Sequence, residues 1–182
     1  MTRKPKVFSG IQPSGTVHIG NYMGAIKNWA AMLDDYDCVF GIVDYHAMTI
    51  SYDPAHMQQQ VFNAACVNMA CGLDPERCIL FVQSHVTQVA ELTWVFTTLT
   101  PMGLASRLIQ FKDKSAQHAE NVNVGLFTYP ILQAADILLY HGEFVPVGED
   151  QVQHLELARE IARRFNRRFG DVFIHRDVLQ YA

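Results

Sequence analysis

Four short apolar runs, at 7–11, 38–43, 78–82 and 144–147, alternate with segments of helical periodicity at 18–33, 54–71, 89–98, 127–140 and 150–169. That alternation admits few folds. Strands separated by whole helices are not joined as hairpins; they pair in parallel, and a parallel sheet needs helices on both faces. The expected class is α/β. In the last helical segment Val152, Leu155, Ala158, Ile161, Ala162, Phe165 and Phe169 make an inward stripe. No repeat or low-complexity linker interrupts the pattern. At 182 residues, 49% of them apolar, the chain amounts to about one domain with a real core.

The first run leads into Gly10-Ile11-Gln12-Pro13-Ser14-Gly15-Thr16-Val17-His18-Ile19-Gly20-Asn21, after which Tyr22, Met23, Ile26, Trp29, Ala30 and Leu33 recur at helical spacing. A strand, a glycine-bearing loop and a helix start form an anion-binding corner, where free N–H groups and the helix dipole attract phosphate. The motif is neither the dinucleotide G-x-G-x-x-G fingerprint nor a Walker loop. His18 at the helix entrance can donate to a phosphate oxygen without carrying a fixed charge. Ligands of such sheets bind beyond the carboxyl ends of the strands, at the topological switch point. One rim therefore gathers the loop after the first strand, Asp44–His46 after the second, and 147–151 after the last, and a single composite site is expected.

The net charge of −4 argues against a broad basic nucleic-acid face. The cluster Arg163, Arg164, Arg167 and Arg168 reads as a solvated helix flank. Cys38, Cys66, Cys71 and Cys78 form no C-x-x-C pair and no zinc spacing, so reduced thiols are expected. No apolar run approaches the roughly 20 residues that span a bilayer, and Arg3-Lys4-Pro5-Lys6 is not followed by a signal-peptide core. A soluble, cytoplasmic chain with no membrane partner is expected.

Three constellations carry chemistry. In the apolar helix after Gly125, with Pro130 fitting its first turn, Asp136 sits amid Ala134, Ala135, Ile137, Leu138 and Leu139. An unpartnered carboxylate there costs several kcal/mol, so either a neighbouring side chain or a ligand donor satisfies it. Tyr129, Gln133 and Asp136 stand at i, i+4 and i+7, one face suited to a flat ligand bearing an N–H or O–H donor. In Gly148-Glu149-Asp150-Gln151, with His154 beyond, Asp150 fits either a helix cap or a carboxylate holding ribose hydroxyls. His46 is either a satisfied structural histidine or a pocket wall. In the polar stretch 112–123, Lys112 and Lys114 are either solvated or neutralise leaving pyrophosphate.

These blocks together resemble the class I aminoacyl-tRNA synthetases of the tryptophanyl, bacterial and mitochondrial type, over roughly 7–173. The resemblance rests on Phe8 to Gly15, His18-Ile19-Gly20-Asn21, Ile42 to Ala47, Phe81-Val82-Gln83-Ser84-His85, Gln110 to Ser115, Thr128-Tyr129-Pro130, Ala134 to Tyr140 and Val145 to Gln151. It implies a Rossmann-like catalytic domain over 1–182 that activates tryptophan with ATP, accompanied by Mg2+, and esterifies tRNA(Trp), as a homodimer. It implies catalytic roles for His18, Asn21, Gln12 and Lys114, and ATP contacts from Gln12, Gly20, Asn21, Gly148, Asp150 and Gln151. Phe8, Val43, His46, Tyr129, Gln133 and Asp136 would form the tryptophan pocket, with Asp136 accepting the indole N–H and no protein-bound metal. Apolar helical surface around 89–108 would carry the dimer contact.

Two features depart from the family pattern. Gln133 stands where many members carry methionine and the related tyrosine enzymes glutamine; Gly148-Glu149-Asp150-Gln151, against Gly-Ser-Asp-Gln in the tyrosine branch, favours tryptophan. The Lys-Met-Ser-Lys-Ser loop, the rest of the catalytic domain and the anticodon-binding domain are absent before Ala182, and the resemblance fades after Phe173. The expectation is a truncated or frameshifted product, or a fragment, that binds tryptophan or ATP and activates tryptophan poorly. The alternative is a non-catalytic tryptophan- or adenine-nucleotide-binding module or partner subunit; an unrelated nucleotide-binding α/β protein is the third reading.

Overall fold

The computed structural model describes residues 3–15, 17–106, 122–148 and 151–173. Strands β1 (Lys6–Ile11), β2 (Asp37–Ile42) and β3 (Ile79–Val82) form a parallel sheet in the order β1-β2-β3. Helix α1 runs as an α-helical turn Ile19–Asn21, a π-helical segment Tyr22–Ile26 and an α-helical segment Lys27–Met32. The other helices are α2 (Asp44–Ala47), α3 (Pro54–Ala70), α4 (Gln88–Leu99), α5 (Met102–Ala105), α6 (Val124–Leu139) and α7 (Val152–Phe169); a 3-10 turn, Gln83–His85, follows β3.

Period-2 alternation in the strands feeds two cores. Val7, Ile11, Cys38, Phe40 and Ile42 point to one face and pack with Ile26, Trp29 and Leu33 of the α1 region, Ala64 of α3 and Leu73. The indole of Trp29 stacks on Phe40 with centroids 4.8 Å apart. Phe8 and Val39 point to the opposite face, against Phe96 of α4, the apolar side of α6 and Leu155, Ala158 and Ile161 of α7. The expected α/β architecture, covered on both faces, is what the chain adopts.

The fourth apolar run departs from expectation. Phe144 lies on the free side of β1, where its N–H donates to Lys6 O and its carbonyl accepts from Phe8 N, both at 3.0 Å. The next bond of a parallel ladder would come from the N–H of residue 146, which is proline and has none. The run therefore stays a single bridge and peels away from β1. Since β2 flanks β1 on the other side, the strand order reverses at β1, which makes this split the switch point.

Helix ends follow their capping residues. Asp53 caps α3 by accepting from Ala55 N at 2.9 Å, with Pro54 in the first turn. Asn123 caps α6 by accepting from Leu126 N at 3.0 Å, so α6 begins at Val124 and Pro130 lies in its interior rather than its first turn. That corrects the expected placement: Asn123 supplies a strong start signal upstream, and the missing amide of Pro130 leaves the Leu126 carbonyl without its usual i+4 donor. In α7 the buried face includes His154, Leu157 and Asn166 as well as the expected stripe, while Phe169 is 54% exposed against Phe165 and Arg168. Arg163 and Arg164 pair with Glu160 on the solvent flank, as expected.

Candidate functional site

A cavity of about 480 Å³ opens where the Phe144 run leaves β1. Its walls come from Phe8, Ser9, Gly10 and Gln12 of β1 and the loop after it, from Gly24, Ala25, Asn28 and Trp29 of α1, and from Val43 and His46 after β2. Tyr129, Gln133, Asp136 and Ile137 of α6, Val145 to Gly148, and Gln151 complete it. The volume falls within the rough 300–1,000 Å³ range of small-molecule sites. Backbone crowding contributes to its shape: a Cβ on Gly10 would meet Val43 Cγ1 at 2.8 Å, so the strand end tolerates no side chain there without moving that wall.

Asp136 is 1% exposed and already partnered. His46 Nε2 lies 2.7 Å from Oδ2, and because a carboxylate only accepts, this nitrogen is the donor. Gln83 Nε2 donates to Oδ1 at 2.7 Å and to Oδ2 at 2.9 Å. The alternatives posed by the sequence are thus resolved toward neighbouring side chains, although the carboxylate still faces the cavity. Gln83 Oε1 accepts from Tyr45 N at 3.0 Å, and Asp44 Oδ1 accepts from Ser84 N at 3.0 Å, so the ends of β2 and β3 are laced together beneath the site. Tyr140, one turn beyond Asp136, stacks on Phe8 at 5.6 Å. Burial, with the Asp136 charge adding to it, pushes the Tyr140 phenol up to about 12.

A second polar chain closes the other side. Gln151 Oε1 accepts from His154 Nδ1 at 2.7 Å, which leaves His154 Nε2 as acceptor for the Tyr129 hydroxyl at 3.1 Å. His154 itself is 1% exposed and fixes two cavity residues from behind.

Of the residues singled out in the sequence, Phe8, Gln12, Val43, His46, Tyr129, Gln133, Asp136, Gly148 and Gln151 share this one cavity. His18, Gly20 and Asn21 lie outside its lining, at the exposed start of α1. There His18 Nδ1 accepts from Gly20 N at 3.1 Å and Asn21 Oδ1 accepts from His18 N at 3.0 Å. This capping box occupies the Asn21 oxygen and places the neutral His18 proton on Nε2, the outer nitrogen. Glu149, Asp150, Lys112 and Lys114 lie outside the described residues. Sequence reasoning did not single out Gln83, Trp29, Gly24 or Asn28 as site residues. Gln83 had a signal, a polar residue ending an apolar strand on the predicted rim; the α1 residues had none beyond helical periodicity.

The sequence model of the class I tRNA synthetases (W and Y) matches residues 1–182. The tryptophan–tRNA ligase of Caldanaerobacter subterraneus subsp. tengcongensis is 56% identical over 169 residues, taking in 93% of this chain and 51% of that protein. Among solved structures, tryptophanyl-tRNA synthetase from Campylobacter jejuni, complexed with ADP and tryptophan, superposes with a TM-score of 0.88 at 41% identity, over 97% of this chain and 54% of that one. The tryptophanyl-tRNA synthetase from Mycoplasma pneumoniae gives 0.89 at 33% identity, over 98% and 53%. The chain thus spans about half the length of the relatives it matches.

Proposed function

Since the chain belongs to the class I tRNA synthetases (W and Y), we propose that its cavity binds tryptophan and ATP and serves the activation of tryptophan for transfer to tRNA(Trp). The observation that carries this is the set of groups around Asp136. A buried carboxylate stands at the end of a slot walled by Phe8, Val43 and Ile137, which suits a flat apolar ring bearing one N–H donor. The Campylobacter relative's complex with ADP and tryptophan supports the pair of ligands.

In this reading Asp136 accepts the indole N–H, and Phe8, Val43 and His46 wall the ring. Gln133 lies along the slot. Gln12 and Tyr129 hold the reacting carboxylate and amino group; Tyr129 donates its proton to His154 and so presents its oxygen as an acceptor. ATP lies toward Gly20, Gly148 and Gln151, with Asp150 on the ribose. His18 and Asn21 stand on the phosphate side, where the Nε2 proton of His18 points outward from the cap. The tryptophan carboxylate attacks the α-phosphorus in line, and the protein aligns reactants and stabilises charge, with Lys114 on the pyrophosphate. The Mg2+ arrives with the nucleotide. Among the described residues no group of three or more His, Cys, Asp or Glu side chains makes a metal site, in keeping with an ion held through phosphates.

A second copy of the chain is proposed as partner on the α4–α5 face, where Trp94 and Met102 are 70% and 71% exposed. Among the described residues no helix is long and apolar enough to cross a membrane, which supports the cytoplasm as its place. The test is calorimetric titration with L-tryptophan and L-tyrosine, followed by amino-acid-dependent ATP–pyrophosphate exchange. Tryptophan is expected to bind and tyrosine not; failure of a folded chain to bind tryptophan overturns the proposal. Binding without exchange would leave a tryptophan-binding module.

A further inference from the structure

The amide of Gln83 has no contact with the cavity, yet both of its ends are committed. The residue is fully buried. Its oxygen accepts the Tyr45 N–H at 3.0 Å, and its nitrogen sits 2.7 and 2.9 Å from the two oxygens of Asp136. The orientation is unambiguous, because a flipped amide would set an N–H against the Tyr45 N–H and an oxygen against a carboxylate. His46 adds one donor to Oδ2. Three contacts therefore fall on a group with about four acceptor sites, and the remaining capacity belongs to the side of Asp136 that faces the cavity.

An aspartate carboxylate turns easily about its last torsion, which is broad and two-fold. Held by His46 alone, at one oxygen, it would swing; gripped at both oxygens from the end of β3, its plane is set. We propose that Gln83 is a positioning residue for ligand recognition, fixing the plane of the Asp136 carboxylate so that its remaining acceptor site meets an indole N–H. The proposal rests on the reading of the cavity as a tryptophan site. It assigns the strand-end lacing a specific duty: Tyr45 orients Gln83, Gln83 orients Asp136, and Asp136 reads the donor.

The experiment compares two ligands on the full chain by calorimetry: L-tryptophan and 3-(3-benzothienyl)-L-alanine, in which sulfur replaces the indole N–H. Gln83→Met removes the amide at similar volume. Tryptophan binding is expected to weaken about tenfold, the worth of one hydrogen bond to a charged group, while the sulfur analogue changes by less than about twofold on the same principle. A merely structural role would weaken both ligands alike, and that result, or undiminished tryptophan binding, overturns the proposal. Thermal unfolding identifies a variant that fails to fold; Gln83→Asn, which withdraws the amide by one methylene, then makes the same comparison with the same expectation. Unaltered chain that binds neither ligand overturns the tryptophan reading, and this inference with it. Unaltered chain that binds tryptophan, with the ratio unmoved by both variants, overturns this inference alone.

Discussion

Replacing Asn166 by alanine removes three hydrogen bonds at one stroke. The carboxamide, 8% exposed, donates from Nδ2 to Phe173 O at 2.7 Å and accepts at Oδ1 from Val172 N at 3.1 Å and Phe173 N at 3.0 Å. It folds 171–173 back over the end of α7 and seats the Phe173 ring against Phe96, Phe165 and His141, at centroid separations of 5.4, 4.8 and 6.2 Å. At about 1 kcal/mol net per hydrogen bond, with the Phe173 amide and carbonyl deprived of this partner in buried surroundings, Asn166→Ala is expected to cost about 3 kcal/mol. Urea unfolding followed by circular dichroism measures it. With a slope of about 2 kcal/mol/M, the midpoint should fall by about 1.5 M. Tryptophan affinity should be unaltered, since Asn166 stands about 18 Å along α7 from His154 at 1.5 Å per residue. A midpoint shift below about 0.5 M would refute the reasoning, because it would mean that solvent or a relaxed tail replaces all three bonds without loss.

His141 holds φ at 53° just past the end of α6, the one non-glycine residue with positive φ among those described. His141→Gly should therefore raise stability by about 0.5–1 kcal/mol, the left-handed penalty less the added chain freedom; a lower melting temperature would count against it. Thiol chemistry separates the four cysteines. Burial lifts the Cys38 thiol to about 11, with the Cys78 and Asp37 charges adding and Lys4 opposing, and burial likewise lifts Cys78. At pH 8 only about a thousandth of Cys38 is thiolate, so iodoacetamide should label the half-buried Cys66 and Cys71 first. Peptide mass spectrometry showing Cys38 labelled as fast as Cys66 would contradict this.

Strand and helix periodicity carried the architecture, because the two sheet faces are written directly into β1 and β2: Val7 and Ile11 against Phe8, Cys38 and Phe40 against Val39. The rim argument likewise gathered residues from β1, β2, α6 and the 145–151 loop into one cavity. What was not legible was what depends on pairing across the fold. The carboxylate of Asp136 read as unpartnered, because its partners His46 and Gln83 lie 90 and 53 residues away. Pro130 read as a helix start, since propensity alone does not reveal that Asn123 starts the helix earlier. The fourth strand stopped at one bridge because a ladder needs a donor at a particular register position, and position 146 is proline. Among the α1 residues, Met23 looked like part of the apolar stripe and is 53% exposed, whereas Ile26 and Trp29 are buried.

That last discrepancy traces to the π-helical segment Tyr22–Ile26, and it bears on which insertions and deletions the chain tolerates. A π turn carries one residue more than the α turn it replaces. Removing any one residue from the segment would restore uninterrupted α geometry and rotate everything after it by about 100° relative to what came before. Asn28 would leave the cavity wall, and Trp29 would leave the face of Phe40. A surface loop absorbs a one-residue length change easily; this helix does not. The number of residues between His18 and Trp29 is thus constrained independently of what those residues are.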